Sequence, residues 1–484
     1  MHYEKLEVES RKNMKKYIGI CFKIIGIIVA VLLIANIILP FVKKEPDPDY
    51  EAALKQTEFT GKNESEEQDV SERIRCIDQN EEALIYRLRM IGSAKKSIVL
   101  STFDLRPDDS GTDIIAALYH AADRGVKVKI LIDGIYQKIF LEKSQAFRAL
   151  AARENVEVRI YNPITVTNLT RLNYRMHDKY LIIDDSMYLL GGRNTNDIFL
   201  GDKKTGINVD RDIFVYETKA GKGKSFKELE TYFQNIWNEK HVTEKKIKST
   251  KSDEEQGKKL ETRYQSLKQK YTDIEEYQRW QEDTYAVNKI TLLNNGTKAA
   301  RKSPEVLQAI EYIAEQGKHV VIQTPYVISN SYMYQVLENI SQKADLKIVL
   351  NAVEKGSNPW GCTDYLNQKK QILETGATVY ELMNDHAVHT KTVLIDDNIS
   401  IVGSYNLDMR STYLDTELML VIDSEKLNAQ IQDTERTYME KSKEVRPDGT
   451  ETKGEHYKEK VLTPEKKRFY AFLRIIIRPF RHLL

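Results

Sequence analysis

One short pattern occurs twice in this sequence, and its repetition constrains the fold more than any other feature. In each copy a histidine is followed by a lysine two residues later and by an aspartate five residues after that. A Gly-Gly or Gly-Ser pair and an asparagine then follow at identical distances. The residues are His177, Lys179, Asp184 and Asn194 in the first copy, and His389, Lys391, Asp396 and Asn406 in the second. Repeated spacing of this kind indicates an internal duplication.

The segments around both copies alternate between helix and strand patterns. Residues 112–123 are amphipathic and are closed by Gly125, and 126–132 read as a buried strand. The same order recurs at 306–316 and 319–325. The sequence therefore predicts an α/β fold with two related lobes, at 74–218 and 289–430.

An apolar segment at residues 17–42 is long enough to cross the hydrocarbon core of a membrane. A cleaved signal peptide is the alternative, but a small-residue cleavage site is lacking. Basic residues are concentrated in 1–16, which favours a cytoplasmic N-terminal tail, a single-pass location in the cell membrane and catalytic lobes outside the cytoplasm. The polar, acidic segment 43–73 reads as a solvated stalk.

Two other segments lie outside the lobes. Residues 219–288 are rich in interleaved acidic and basic side chains and predict a solvated, partly helical insertion rather than a nucleic-acid arm. The C-terminal extension 431–484 ends in a tail that mixes bulky apolar and basic residues, which suits either a membrane surface or a helix packed on the domain. A net charge of +1 gives no general attraction to nucleic acid. The cysteines lack metal-cluster spacing, although a bridge between Cys76 and Cys362 is compatible with the sequence.

The repeated residues suit phosphodiester chemistry without a metal or other cofactor. One imidazole can attack phosphorus, and the second can protonate the departing alcohol. Lys179, Lys391, Asn194 and Asn406 can hold the phosphate oxygens. Each histidine also needs an acceptor for its other ring nitrogen, for which Asp212 and Glu417 are the candidates.

The paired motifs resemble the phospholipase D superfamily, and the wider context is similar to bacterial cardiolipin synthases of the C type. The matching segments are 171–177, 191–197, 403–411 and 416–417. The resemblance implies duplicated lobes with pseudo-twofold symmetry, one shared active site and a phosphatidyl-histidine intermediate. It also implies transfer to a glycerol hydroxyl of a phospholipid such as phosphatidylglycerol, with Glu417 orienting the second histidine. By the same analogy His177 is the nucleophile and His389 the acid and base.

Three other functions use or retain the same residues: a hydrolytic phospholipase D, a phospholipase D-like nuclease and a non-catalytic scaffold. The membrane segment and the near-neutral charge argue against the nuclease, and two intact motifs argue against the scaffold. The expected partners are phospholipid substrates and the membrane, and no nucleic acid. The motifs alone do not separate a lipid alcohol from water as the acceptor. Asp184 and Asp396 are expected to act as structural supports of the motif strands.

Overall fold

The computed structural model describes residues 2–38, 44–61 and 72–484. Within these residues the chain forms two nine-stranded mixed sheets and helices on their faces. The helices that precede or cover the first sheet are α1 (His2–Ile38), α2 (Pro48–Gln56), α3 (Asn80–Ser93), α4 (Asp109–Asp123), α5 (Gly134–Tyr136), α6 (Gln145–Ala151), α7 (Lys224–Trp237) and α8 (Lys251–Lys270). Those of the second half are α9 (Glu305–Ala314), α10 (Ser331–Lys343), α11 (Pro359–Glu374), α12 (Met409–Tyr413), α13 (Glu425–Glu440) and α14 (Pro464–Ile476).

The strands of the two halves have the same spatial order. The first half contains β1 (Glu72–Ile77), β2 (Ser97–Thr102), β3 (Lys127–Asp133), β4 (Val156–Tyr161), β5 (Tyr180–Ile183), β6 (Met187–Gly191), β7 (Asn208–Val209), β8 (Asp212–Glu217), β9 (Val242–Glu244) and β10 (Tyr285–Ala286). The second contains β11 (Lys289–Asn294), β12 (His319–Gln323), β13 (Asp345–Asn351), β14 (Thr378–Leu382), β15 (Ala387–Val388), β16 (Thr392–Ile395), β17 (Ile399–Gly403), β18 (Leu418–Asp423), β19 (Ser442–Val445) and β20 (Glu451–Lys453). The sheet orders are β10-β1-β8-β6-β5-β2-β3-β4-β9 and β11-β18-β17-β16-β12-β13-β14-β19-β20. Eight consecutive strands of one order correspond one to one with eight of the other, which confirms the predicted duplicated α/β fold.

The two lobes share a core rather than meeting as separate bodies. Apolar side chains of α7, including Phe226 and Phe233, belong to the same buried cluster as Ile310 of α9 and Val393 of β16. The short strands β7 and β15, one from each half, pair in parallel and form a small third sheet. The relative position of the lobes is therefore fixed by buried apolar contacts and by backbone hydrogen bonds.

The segment 219–288 is partly helical, as predicted, but it is packed on the first sheet and not solvated throughout. Strands β9 and β10 lie at the two edges of the first sheet, and α8 packs on α4 and α6. Helix α8 is highly charged, yet Leu260, Tyr264 and Leu267 form a buried stripe at helical spacing. That stripe was missed in the sequence because the helix as a whole is highly charged and has few apolar residues. The boundary at 430 also differs from the structure, since it falls inside α13, and β19 and β20 extend the second sheet.

The segment 43–73 is not a stalk in its described part. Helix α2 packs on α9, with Leu54 buried, and Phe59 is buried shortly after the helix ends. Residues 62–71 of this segment lie outside the described residues. Cys76 and Cys362 are both buried free thiols, so the bridge that the sequence allowed is not formed.

The N-terminal helix α1 contains one stretch, Met14–Ile38, that is long and apolar enough to cross a membrane. This agrees with the predicted span at 17–42, whose last residues, 39–42, lie outside the described part of the chain. The end of α1 docks on the first lobe, where Asn173 donates to the backbone oxygen of Asn36 at 2.8 Å. The candidate membrane-spanning helix is thus attached directly to the folded lobes.

Candidate active site

The two motif histidines lie at the same edge of their sheets. His177 and Lys179 immediately precede β5, and β5 pairs antiparallel with β2, so they lie beside the carboxyl end of β2. His389 and Lys391 occupy the same position before β16, which pairs with β12. Because parallel strands β2, β3 and β4 all end at this edge, both motifs stand where loops are free to build a site.

The backbone crosses between the lobes at both histidines. The amide of His177 donates to the carbonyl of Thr416 in the second lobe at 3.2 Å. The amide of His389 donates to the carbonyl of Val209 in the first lobe at 2.7 Å. The residue after each acceptor carbonyl is acidic: Glu417 follows Thr416, and Asp210 follows Val209. Each histidine therefore lies beside a carboxylate of the other lobe.

The side chains complete these crossed pairs. Nδ1 of His177 lies 2.9 Å from Oε1 of Glu417, and Nδ1 of His389 lies 2.6 Å from Oδ2 of Asp210. A carboxylate that accepts from Nδ1–H leaves Nε2 with a lone pair directed away from the carboxylate. Since each lobe supplies the acceptor for the other lobe's histidine, the two motifs form a single site.

The structure corrects both orienting carboxylates that the sequence suggested. Asp212 does not contact a motif histidine; Oδ2 of Asp212 forms ion pairs with Arg87 at 2.9 Å and Arg193 at 3.2 Å. Glu417 does contact a motif histidine, but that histidine is His177 and not the second one. The physical reason is that the crossing strands bring each carboxylate to the opposite lobe.

Sheet register shows which residue of the first lobe corresponds to Glu417. Gly403 of β17 pairs with Met419 of β18, and Gly191 of β6 pairs with Asp212 of β8. Asp212 thus corresponds to Met419. Two residues earlier in each lobe, Asp210 occupies the position equivalent to Glu417. The loop after the motif is longer in the first copy, so the sequence signal that could have identified Asp210 was its position two residues before the equivalent point of the following buried strand.

The surroundings of the two carboxylates differ. Glu417 accepts hydrogen bonds from Ser404 and Ser411 at 2.5 Å each, in addition to its contact with His177. The equivalent positions by motif spacing in the first lobe are Gly192 and Phe199. Phe199 lies against the ring of His389, with ring centroids 5.0 Å apart, and so occupies the place of a hydroxyl donor. Phe103 packs similarly against His177 at 4.8 Å.

Burial sets the protonation of the site. It lowers the pKa of His177 well below its ordinary value, and the charges of Lys179 and Lys391 act in the same direction. Burial and the Lys391 charge lower the pKa of His389 to about 4. Both imidazoles are therefore neutral near pH 7 while no phosphate is bound. That lysines of both lobes act on His177 is a further sign of one shared site.

The lysines and carboxylates are shifted as well. Burial lowers the pKa of Lys179 to about 7 and that of Lys391 to about 8. Burial alone would raise the pKa of Asp210, but Lys391 and His389 hold it below its ordinary value. Burial raises the pKa of Glu417, a rise that Lys179 and the two serine hydroxyls oppose. An anionic phosphate between the lysines would favour their protonated forms.

The predicted asparagines lie in the same region, and the motif aspartates do not. Asn194 and Asn406 are buried, and neither side-chain oxygen has a hydrogen-bond partner among the described residues. Asp184 accepts from the backbone amides of Lys96 and Ser97 at 2.7 and 2.8 Å, at the opposite end of β5 from His177.

Asp396 occupies the matching position in the second lobe, where it accepts from the backbone amides of Lys318 and His319. Both motif aspartates thus fasten the beginning of a neighbouring strand. In the part of the chain that the structure describes, no group of three or more His, Cys, Asp or Glu side chains is arranged to hold a metal ion.

Comparison with known proteins agrees with this geometry. Residues 88–237 and 309–436 match the family described as cardiolipin synthase, PLD-like domain. The chain belongs to this phospholipase D-like family, and the predicted family and enzyme class are confirmed.

Among curated relatives, cardiolipin synthase C of Escherichia coli is 24% identical over 72% of this chain and 81% of its own length. A cardiolipin synthase of Clostridium perfringens is 27% identical over 71% of this chain and 65% of its own length. A Helicobacter pylori protein described as uncharacterized is 28% identical over 72% of this chain and 75% of its length. The crystal structure of phosphatidylserine synthase from Haemophilus influenzae superposes with a TM-score of 0.59 at 16% identity, covering 90% of this chain and all of that one. That last likeness concerns the fold.

Proposed function

We propose that this protein transfers a phosphatidyl group to a glycerol hydroxyl of phosphatidylglycerol or a related phospholipid, and so makes a cardiolipin-type lipid. The observation that carries the proposal is the pair of crossed contacts, His177 to Glu417 and His389 to Asp210, together with the burial of both motif lysines. The family match and the curated cardiolipin synthases support the choice of lipid.

The proposed reaction has two steps: a bond between phosphorus and His177 forms in the first and breaks in the second. Nε2 of His177 attacks phosphorus of the donor lipid, the bond from phosphorus to the departing glycerol oxygen breaks, and His389 gives that oxygen its proton. His389 then removes the proton of the acceptor hydroxyl, whose oxygen attacks phosphorus and breaks the bond to His177.

The acceptors of the two histidines support the proposed roles. Burial keeps His177 neutral, as it does His389, which suits a nucleophile, and burial also raises the pKa of its acceptor Glu417. His389 faces Asp210, whose pKa is lowered, so its partner is a carboxylate that favours the imidazolium. Binding of an anionic phosphate would reduce the opposing effect of Lys391 and raise the pKa of His389 toward the range of a general acid. Lys179, Lys391, Asn194 and Asn406 would hold the phosphate oxygens.

A product assay tests the acceptor. The full chain in proteoliposomes of phosphatidylglycerol should form cardiolipin and glycerol in equal amounts, and the His389→Ala variant prepared in parallel should form neither. Phosphatidic acid as the main product would replace the proposal with hydrolysis. The intermediate is tested by an alkaline quench, since a phosphorus–nitrogen bond is labile in acid, followed by peptide mapping of labelled lipid. Label on the peptide of His389 instead of His177 would reverse the two roles.

We propose further that the N-terminus lies in the cytoplasm and the lobes lie outside it. The support is the excess of basic residues before the apolar stretch of α1. A membrane-impermeant thiol reagent applied to intact cells should label a cysteine introduced at exposed Lys127. Labelling that requires permeabilised cells would place the lobes in the cytoplasm.

A further inference from the structure

The C-terminal helix α14 has two apolar stripes, of which only one is used inside the protein. Tyr470, Leu473 and Ile477 are buried and face the second lobe, where α14 packs on α11. Phe469, Phe472 and Ile476 have the same helical spacing on another face and are exposed, as is Ile475 at 72%. A second exposed stripe of large apolar residues in a surface helix requires an occupant.

The residues around this stripe are basic. Exposed cationic side chains border it along the helix and just beyond its end, and the helix has a single acidic residue, Glu465. The cations are Lys466, Lys467, Arg468, Arg474 and Arg478. An apolar stripe bordered by Lys and Arg is the composition of a helix that lies in the interface of a membrane with anionic lipids.

The position of the tail relative to α1 identifies the occupant. After α14, His482 donates from Nε2 to the backbone oxygen of Ile37 at the end of α1, at 2.7 Å. Leu172 donates to the side-chain oxygen of Asn36 at 3.2 Å. The tail and the loop before the first motif therefore lie directly beside the end of the membrane-crossing stretch.

Other exposed apolar side chains lie at the same edge of the lobes. Ile139, Ile164 and Trp360 are 63%, 37% and 44% exposed and lie in segments that follow β3, β4 and β13. These strands end at the edge that carries the two histidines. The large apolar residues exposed outside α1 are thus concentrated at the active-site edge and on the tail, among the described residues.

The tail is also bonded to the active site. The amide of Arg410 donates to the backbone oxygen of Leu484 at 3.2 Å, and its guanidinium donates to Leu483 at 3.0 Å. The next residue, Ser411, donates to Glu417, the acceptor of His177. Arg410, which binds the end of the tail, is therefore adjacent in sequence to Ser411, which donates to the active-site carboxylate.

We propose that α14 and the exposed apolar residues of the active-site edge form one bilayer-contacting surface, which lies on the anionic leaflet at the C-terminal end of the α1 span and opens the site onto it. The residues of this surface are Phe469, Phe472, Ile475, Ile476, Ile139 and Trp360. The surface is inferred from exposure, charge and attachment to α1, and it does not require any particular reaction.

Fluorescence quenching on the full chain tests the surface. Cys21→Ala removes the exposed native thiol, and Cys76 and Cys362 are buried. An environment-sensitive fluorophore is attached to Ile475→Cys, or to Lys127→Cys as the control at the opposite edge of the sheet, and each protein is placed in nanodiscs of phosphatidylglycerol. The label at 475 should be quenched severalfold more by acyl-chain nitroxides than by aqueous iodide, and the label at 127 should show the reverse. Equal exposure of both labels to iodide would overturn the proposal, and so would shielding at 475 without nitroxide quenching, which would indicate a second protein copy.

A second measurement rests on the proposed function. The double variant Phe472→Ser/Ile475→Ser changes only exposed side chains, and it should lose severalfold of its turnover of phosphatidylglycerol in bilayers while keeping its turnover of a short-chain monomeric analogue. Equal loss on both substrates would contradict a role in membrane contact. If the protein does not turn over phosphatidylglycerol at all, the proposed function fails and the quenching result still decides the surface.

Discussion

The crossed pairing makes opposite predictions for two aspartates that are separated by one residue. Asp210 contacts His389 at 2.6 Å, and Asp212 pairs with two buried arginines. Replacing each by asparagine removes one negative charge with almost no change in shape. We expect Asp210→Asn to reduce turnover and Asp212→Asn to reduce stability.

The magnitudes follow from the contacts that are lost. A hydrogen bond to a charged group contributes roughly 1.5–3 kcal/mol, so its loss in the transition state corresponds to roughly 10- to 150-fold in kcat. An asparagine also permits the wrong tautomer of His389, and the corresponding change in a serine-protease triad costs about 10⁴ in kcat. Asp212→Asn leaves Arg87 and Arg193 without their shared anion, and breaking a buried ion pair in this way costs about 3–5 kcal/mol of unfolding free energy.

The two effects are separated by measuring both quantities on both variants. Turnover is normalised to folded protein, and the free energy of unfolding is obtained from denaturant titration monitored by fluorescence. Asp210→Glu is the control, since it retains the charge while moving it along the side chain. A large loss of kcat in Asp212→Asn with unchanged stability, together with an active Asp210→Asn, would refute the assignment and restore Asp212 as the orienting carboxylate.

Three further predictions test other parts of the site. A Cβ at Gly192 would lie 2.4 Å from Oδ1 of Asp210, so Gly192→Ala should displace that carboxylate and lower kcat. Ser404→Ala at the equivalent position of the second lobe removes only one of several donors to Glu417 and should lower kcat less, as steady-state kinetics of both variants will show. Because the pKa of Lys179 is lowered to about 7 and that of Lys391 to about 8, kcat/KM should fall as the pH rises through these values. The unfolded chain binds more protons than the folded one from there up to the ordinary lysine pKa, so the free energy of unfolding should increase over the same window, and a profile in which both quantities change in the same direction would contradict the shifts. Asp184 has φ of 50° and binds backbone amides, so Asp184→Ala should lower the free energy of unfolding by about 1–3 kcal/mol with little change in kcat per folded molecule, as measured by denaturant titration and kinetics.

The parts of the site that depend on local sequence were predictable. The spacing of His177 to Lys179 and of His389 to Lys391 puts each pair at the beginning of a strand, and the alternation of helix and strand gives the fold class. These features need only the period of a strand and the repeat itself. The family and the enzyme class, which rested on the same motifs, are confirmed.

The parts that depend on contacts between distant segments were not predictable in the same way. Asp212 was predicted as the first-copy counterpart of Glu417, whereas the partner of His389 is Asp210, whose position is set by pairing of β7 with β15. The burial of α8 was missed because the helix is highly charged overall, and only its packing on α4 shows that Leu260, Tyr264 and Leu267 are covered. Helix α2 was likewise read as solvated because its few apolar residues find their partner in α9, far along the chain.

The duplication also accounts for the different surroundings of two nearly identical motifs. The crossing backbone gives each motif histidine a carboxylate acceptor from the other lobe. Because the carboxylates are exchanged between the lobes, a substitution next to the carboxylate of one lobe affects the histidine of the other lobe. Ser404 and Ser411 of the second lobe donate to Glu417, the acceptor of His177, whereas Gly192 and Phe199 at the equivalent positions of the first lobe carry no hydroxyl that could donate to Asp210. The two nearly identical motifs therefore differ in their acceptors. Glu417, the acceptor of His177, is hydrogen-bonded by neutral hydroxyls, whereas Asp210, the acceptor of His389, keeps a negative charge that stabilises a protonated imidazole. The proposed two-step transfer needs this difference, because in it one imidazole attacks as a neutral group and the other carries the proton between the two alcohols.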